Sequence, residues 1–259
     1  YDAFNTSDEL GKPISEYQEE VTIYNIRSRG ESSTSIPSSP PAEQGTVPNS
    51  SEPSNASYHP LKNFFIHGTQ GKTPWCSEYI TAESINVLNK APETAPLGEN
   101  IPWLTAAQVM QSYFPSASEE QLKSMSGGSI ENCLQVMNKK YNVTADVEDR
   151  TLNFQEVKKE LDAGSLIQMD SFDTNNKSPQ GSPENTGHSL AIVGYVMPAD
   201  GDINTHPPYY EVWNPWWNVS FYVSSKSPYI NLDGAHYSWK RTWHNWKKTN
   251  NISASLNSD

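Results

Sequence analysis

The sequence predicts an α+β fold, a helical lobe packed against a mainly antiparallel sheet or barrel with a cleft between them. Three observations carry this. Apolar residues recur at helical spacing from Cys76 to Gly164, the period becomes two after Gly164, and segments of each kind cluster instead of alternating along the chain. Residues 1–57 are expected to be an arm or linker, either a propeptide remnant or part of the mature fold. Residues 58–259 form the expected domain, its helical lobe at about 76–150 and its β lobe at about 151–259.

The first strand is expected at Val21–Ile26, where β-branched and aromatic residues crowd. From Glu31 to Ser57 the chain is Ser, Pro, Glu, Asn and Thr, and such a tract buries too little surface to offset its ordering entropy. Cys76 opens a helix over Ser77–Lys90 with Ile80, Ser84, Val87 and Leu88 on one face, ended by Pro92. Thr105 to Gln108 reads as a capping box before a helix that stops at Pro115. Ser118 to Gln121 reads as another, before a short helix closed by Gly127-Gly128. Ile130, Leu134, Met137 and Tyr141 share one helical face. Asn153 caps a helix carrying Phe154, Val157 and Leu161, with Gly164 just past its end. Strands follow at Ser165–Phe172, Ser189–Val196, Tyr209–Asn214 and Phe221–Val223, separated by turns rich in Pro, Gly, Asn and Asp.

The 259 residues carry 18 Lys and Arg against 30 Asp and Glu, a net charge of −12. A body this acidic repels phosphate backbones and anionic lipid, so neither nucleic acid nor a membrane is the expected partner. No run approaches the roughly 20 apolar residues of a membrane helix. Two cysteines, Cys76 and Cys133, exclude a disulfide scaffold and a cysteine-based zinc site. No His-X3-His or paired-carboxylate pattern suggests a metal, and no cofactor is expected. Few cysteines with abundant Asn, Ser, Thr and Tyr suit a secreted bacterial protein, and a chain beginning at Tyr1 reads as either a processed or an artificially trimmed form.

Cys76 follows Pro74-Trp75 at the first turn of a helix. Unpaired N–H groups and the helix dipole favour a thiolate there, which suits a nucleophile; a small buried residue that happens to start a helix fits the position equally well. His188 opens the apolar strand of Gly187-His188-Ser189-Leu190-Ala191-Ile192-Val193-Gly194, facing a cleft or hydrogen-bonded within the structure. Asn214 ends the strand that carries Trp213 and precedes Pro215-Trp216, a place where a plain turn residue is also expected. Their combination and order narrow these readings. A Cys nucleophile, a His base and an Asn that orients the imidazole form the working set of papain-like enzymes, and Gln70, six residues before Cys76, can offer a side-chain N–H to an oxyanion.

The segment Gln70-Gly71-Lys72-Thr73-Pro74-Trp75-Cys76-Ser77-Glu78-Tyr79 resembles the nucleophile region of the staphopain family of secreted bacterial papain-like cysteine peptidases, which also places Trp directly before Cys. Gly187–Gly194 resembles that family's histidine segment, Val212-Trp213-Asn214-Pro215-Trp216 its asparagine segment, and His236-Tyr237-Ser238-Trp239 its C-terminal strand region. The resemblance spans about residues 65–246. It implies a papain-like two-lobed fold in which Cys76 and His188 rest as a thiolate–imidazolium pair. Asn214 would orient the imidazole and Trp216 would cover their hydrogen bond, with Trp75 as further support. The Cys76 backbone N–H and the Gln70 amide would hold the oxyanion. Polypeptides would be the substrates and the chain a monomer, with a propeptide or proteinaceous inhibitor as a further partner. The separation of 112 residues between Cys76 and His188 is shorter than the roughly 130–150 of plant papains and cathepsins, which points to a compact bacterial branch.

Two rival readings remain open in the sequence. One keeps the Cys-His chemistry but acts on cell-wall or protein amides, as an amidase, transglutaminase or acyltransferase. The other is a non-catalytic, aromatic-faced surface-binding module. Trp213, Trp216, Trp217, Trp239, Trp243 and Trp246 read either as a sugar platform or, more simply, as core and cleft lining of the β lobe. Cys133 reads as a packed thiol. His59, His67, His206, His236 and His244 lack the expected order or an Asn partner.

Overall fold

Gly187–Met197 ends in the apolar run Leu190–Met197, and in the computed structural model it is a strand buried from His188 to Val196. The structure describes residues 25–28, 57–173, 187–197, 203, 207–216, 218–226, 229–232 and 235–250. Strands β1 (Asn25–Ser28) and β2 (Ser57–Pro60) precede helices α1 (Cys76–Asn89), α2 (Ala106–Tyr113), α3 (Glu119–Leu122) and α4 (Ile130–Tyr141). Then come β3 (Val143–Glu148), α5 (Phe154–Asp162), β4 (Ile167–Asp173), β5 (Gly187–Met197), β6 (Tyr209–Trp213), β7 (Val219–Ser224), β8 (Tyr229–Leu232) and β9 (Ala235–Lys248). The fold is α+β.

Local chemistry sets the helix boundaries. Thr105, Ser118 and Asn153 each complete a capping box with Gln108, Gln121 and Glu156, satisfying N-terminal donors that have no intrahelical partner. Gly164 follows α5 at φ +85°, a left-handed position that disfavours side chains. α1 departs from the one-sided pattern read from its sequence. Glu78 and every residue from Ile80 to Val87 are buried, so the helix is enclosed on all faces, and its polar side chains are satisfied internally. Ser84 Oγ donates to Ile80 O at 2.7 Å, and Asn86 donates to Leu104 O at 2.9 Å while accepting from Leu104 N–H at 2.7 Å.

The sheet is antiparallel throughout its described pairings, in the order β1-β7-β6-β5-β4-β9-β3, with β2 added to β5 and β8 to β9. Of the strand expected at Val21–Ile26, Asn25 and Ile26 lie in β1, which pairs with β7; residues 21–24 and the polar tract up to Ala56 lie outside the described residues. β3, within the stretch assigned to the helical lobe, pairs with β9 and so joins the two halves. Two hydrophobic clusters result. The larger gathers α5 and the inner faces of β4, β5 and β6; the other packs α1, α2 and α4 against Trp243 and Trp246 of β9. Trp213, Trp216, Trp239, Trp243 and Trp246 are only 0%, 5%, 7%, 6% and 3% exposed, which makes them core rather than a sugar platform; Trp217 lies outside the described residues.

β2 is held to the sheet by a buried carboxylate. Glu211 accepts from Tyr58 Oη at 2.5 Å and from Ser220 Oγ at 2.8 Å. Gly194 leaves room for it: a Cβ there would overlap Glu211 Oε2 and lie 3.1 Å from His59 O and 3.2 Å from Pro60 Cα. Gly194→Ala is therefore expected to cost about 1–3 kcal/mol, read as a lowered urea midpoint at unchanged slope.

Candidate active site

Cys76 is the first residue of α1, and the preceding loop fixes it. Trp75 is buried and donates its indole N–H to Leu122 O at 3.1 Å and to Met125 O at 2.9 Å, anchoring the entry to the helix on the α3 segment. No side chain caps this N-terminus from the Trp75 position. The turn before it is closed by Gln70: its carbonyl accepts from Thr73 N–H at 3.1 Å and Thr73 Oγ1 at 2.7 Å, while its own Nε2 donates to Thr73 O at 2.7 Å. Gly71 takes φ +55° to make that turn. One of the two Nε2 hydrogens is thus used, and one is left to donate.

His188 lies at the start of β5 and Asn214 just past β6, adjacent strands that bring them together. His188 Nε2 is 2.9 Å from Asn214 Oδ1, and both side chains are buried. Trp216 N–H also donates to Asn214 Oδ1, at 3.1 Å. A backbone N–H can only donate, so the atom it meets is the amide oxygen, and the imidazole nitrogen facing the same atom must carry a proton. Nε2 is therefore the protonated nitrogen, and Nδ1 keeps its lone pair. Nδ1 is buried and has no hydrogen-bond partner among the described residues. The Trp216 ring stacks on the imidazole with centroids 4.0 Å apart and planes at 20°, and Tyr237 meets it at 5.8 Å. Pro215 O, between Asn214 and Trp216, accepts from Gln70 N–H at 2.9 Å. One short segment thus orients the imidazole, covers it and fastens the Gln70 turn.

Cys76 is brought to the same strand at Ser189, whose backbone and hydroxyl groups bear on the sulfur while the hydroxyl proton goes to Asp170. Cys76 keeps partial exposure as a residue although its sulfur is enclosed, whereas Cys133 is buried, its Sγ directed at Gly128 O 3.7 Å away. Burial first, and then the Glu78 carboxylate, push the Cys76 thiol up to about 12; the two Ser189 groups pull the other way, and Asp170 adds to the rise. Burial lowers the His188 imidazole to about 4, against a smaller upward pull from Asn214. Desolvation thus opposes the charged resting pair that the sequence resemblance implies. What favours that pair is the Asn214 hydrogen bond and the attraction between two charges created together when one proton passes from sulfur to ring.

Three further residues shape the site and were not singled out in the sequence. Glu78 stands in the first turn of α1. Asp170 of β4 lies opposite Ser189 of β5 in register and accepts its hydroxyl at 2.7 Å. Asp170 also accepts from Gln168 Nε2 at 2.9 Å and Trp243 Nε1 at 2.8 Å. A Ser directly after the strand's His was the available signal for Ser189. Glu78 carried none, because a first-turn acid is ordinary on an exposed helix.

A family model described as staphopain peptidase C47 matches residues 54–245. The chain belongs to the staphopain family. It is a cysteine peptidase, and polypeptides are its substrates. Comparison with curated proteins finds no match. Within this staphopain, the remaining described histidines do other work. His59 stacks on Tyr195 at 4.6 Å, His244 faces Glu160 at 3.0 Å, and His67 pairs with Glu83 farther along α1; the side chains of His206 and His236 lie outside the described residues. If the Gln70 amide holds an oxyanion, as the resemblance implies, Gln70→Ala should lower kcat/KM by about 10²–10³ with little change in KM, measured on a fluorogenic peptide.

Proposed function

We propose that the chain is a secreted bacterial endopeptidase that cleaves peptide bonds through a thioester on Cys76, with His188 as acid and base and Asn214 orienting it. The observation that carries this reading is the double use of Asn214 Oδ1, which leaves a buried His188 Nδ1 free to accept a proton on the strand that faces the sulfur.

Cys76 Sγ passes its proton to His188 Nδ1 and attacks the scissile carbonyl carbon; the S–C bond forms as the carbonyl π pair moves to oxygen. The Cys76 backbone N–H and the second Gln70 Nε2 hydrogen hold that oxyanion. The C–N bond breaks as the oxyanion collapses, and the His188 proton goes to the leaving amine. Water, deprotonated by His188, then attacks the thioester and returns the thiol. Trp216 shields the His188–Asn214 hydrogen bond from solvent and so strengthens it. Secretion rests on the sparse cysteines and polar composition, and a propeptide or proteinaceous inhibitor is the further partner that suits such a cleft.

The test compares wild type with Cys76→Ala on casein under reducing conditions. Loss of turnover in the variant supports the reading, and equal turnover ends it.

A further inference from the structure

Glu78 is a carboxyl that the reaction does not use, yet it sits two residues from the sulfur and is only 2% exposed. Its hydrogen-bond donors are neutral: its own backbone N–H, the Gly127 N–H, and Ser77 Oγ at 3.5 Å. Gly127 has no space for a side chain, because a Cβ there would overlap Glu78 Oε1, so the loop before α4 is seated on this carboxyl. The titratable groups that face it are Cys76 on α1, Tyr113 on α2, Cys133 on α4 and Asp170 on β4. None of these is a cation.

Taking Cys76 as the nucleophile, we propose that Glu78 is a positioning residue that governs when Cys76 gives up its proton: ionised, its buried and unpaired carboxylate holds the thiol protonated, and protonated, it releases it. Burial of a charge without a counter-ion favours the neutral acid, and Glu78 is accordingly raised to about 7. The carboxyl therefore changes state within the pH range in which a peptidase works. Below that midpoint the helix N-terminus acts on Cys76 alone, and above it the carboxylate opposes that effect.

The experiment follows iodoacetamide labelling of Cys76 in the full chain from pH 5 to 9, in wild type and Glu78→Gln, with Cys133 as internal reference. Iodoacetamide is neutral, and Gln keeps an acceptor for the Gly127 N–H while mimicking the protonated acid. Equal rates are expected below about pH 6, where residue 78 is neutral in both proteins. Above pH 7 the variant is expected to label roughly tenfold faster, the equivalent of one pKa unit at the thiol. A constant ratio across the range overturns the inference while leaving Cys76 as nucleophile. Wild-type Cys76 labelling no faster than Cys133 at every pH instead overturns the reading of Cys76 itself. Should Glu78→Gln fail to fold, ¹³C NMR of glutamate-labelled wild type decides: one carboxyl titrating near pH 7 and shifting on alkylation of Cys76 is expected, and all carboxyls titrating below about 5.5 contradicts it.

Discussion

Replacing His188 with Ala is expected to lower peptide hydrolysis by about 10⁴-fold or more, with the fold retained. The size follows from how many steps share one ring. In the proposed cycle His188 Nδ1 would take the thiol proton, give it to the leaving amine and activate the water, so no step would proceed without it. The thiol left behind is pushed up to about 12 by burial and Glu78, and with no imidazole to receive its proton it stays neutral at working pH. Removing Asn214 should cost less, because the ring would stay stacked on Trp216 with Tyr237 tilted against it and lose only its orientation. Steady-state kinetics on a fluorogenic peptide, with far-ultraviolet circular dichroism as the folding control, measures both. His188→Ala activity within about tenfold of wild type would contradict the assignment of the base.

The largest expected effect on stability lies about two turns along α1 from Cys76. The His67 Nδ1 atom is 2.8 Å from Glu83 Oε2, its Nε2 is 2.8 Å from Pro92 O, and its backbone N–H donates to Glu83 Oε1 at 3.0 Å. Asn86 Nδ2 adds a donor to Glu83 at 3.1 Å, and Trp103 stacks on the imidazole at 4.3 Å. Both ring nitrogens face acceptors, so the ring carries both protons and the contact is an ion pair. The two side chains are each 4% exposed. His67→Ala leaves the Glu83 carboxylate buried without its cation, at an expected cost of about 3–5 kcal/mol in urea unfolding. By contrast, Lys123→Ala breaks a pair with Glu120 whose side chains are 60% and 85% exposed, and should change stability by less than about 0.5 kcal/mol. Similar costs for the two substitutions would contradict this ranking.

How much of this was legible in the sequence depends on the range of the physics involved. Capping at Thr105, Ser118 and Asn153 is decided within four residues, and the capping boxes are where the sequence places them. The apolar run of β5 was equally plain. β9 was not: its Trp residues fall at 239, 243 and 246, a spacing that breaks the period of two, and the strand accommodates this with an irregular register and a left-handed Asn245 at φ 51°. β3 does alternate, with Val143, Ala145 and Val147, but it follows α4 after the single left-handed residue Asn142, and so was hidden behind the helix.

In the site, residue types and order suggested Cys76, His188, Asn214 and Gln70, because a given chemistry needs those groups. The geometry around them depends on long-range packing. No local pattern tells that Glu78 is enclosed by Gly127 and Tyr113, that Asp170 stands behind Ser189, or that His67, set aside for want of an Asn partner, finds Glu83 sixteen positions on.

The most direct test of the account is acid-quenched mass spectrometry of the full chain during turnover of an activated peptide ester. One acyl group, removable by hydroxylamine, is expected on the fragment bearing Cys76, with none on the fragment bearing Cys133 and none in His188→Ala. Turnover without any such adduct under burst conditions, or acylation shared equally by both cysteines, would contradict it.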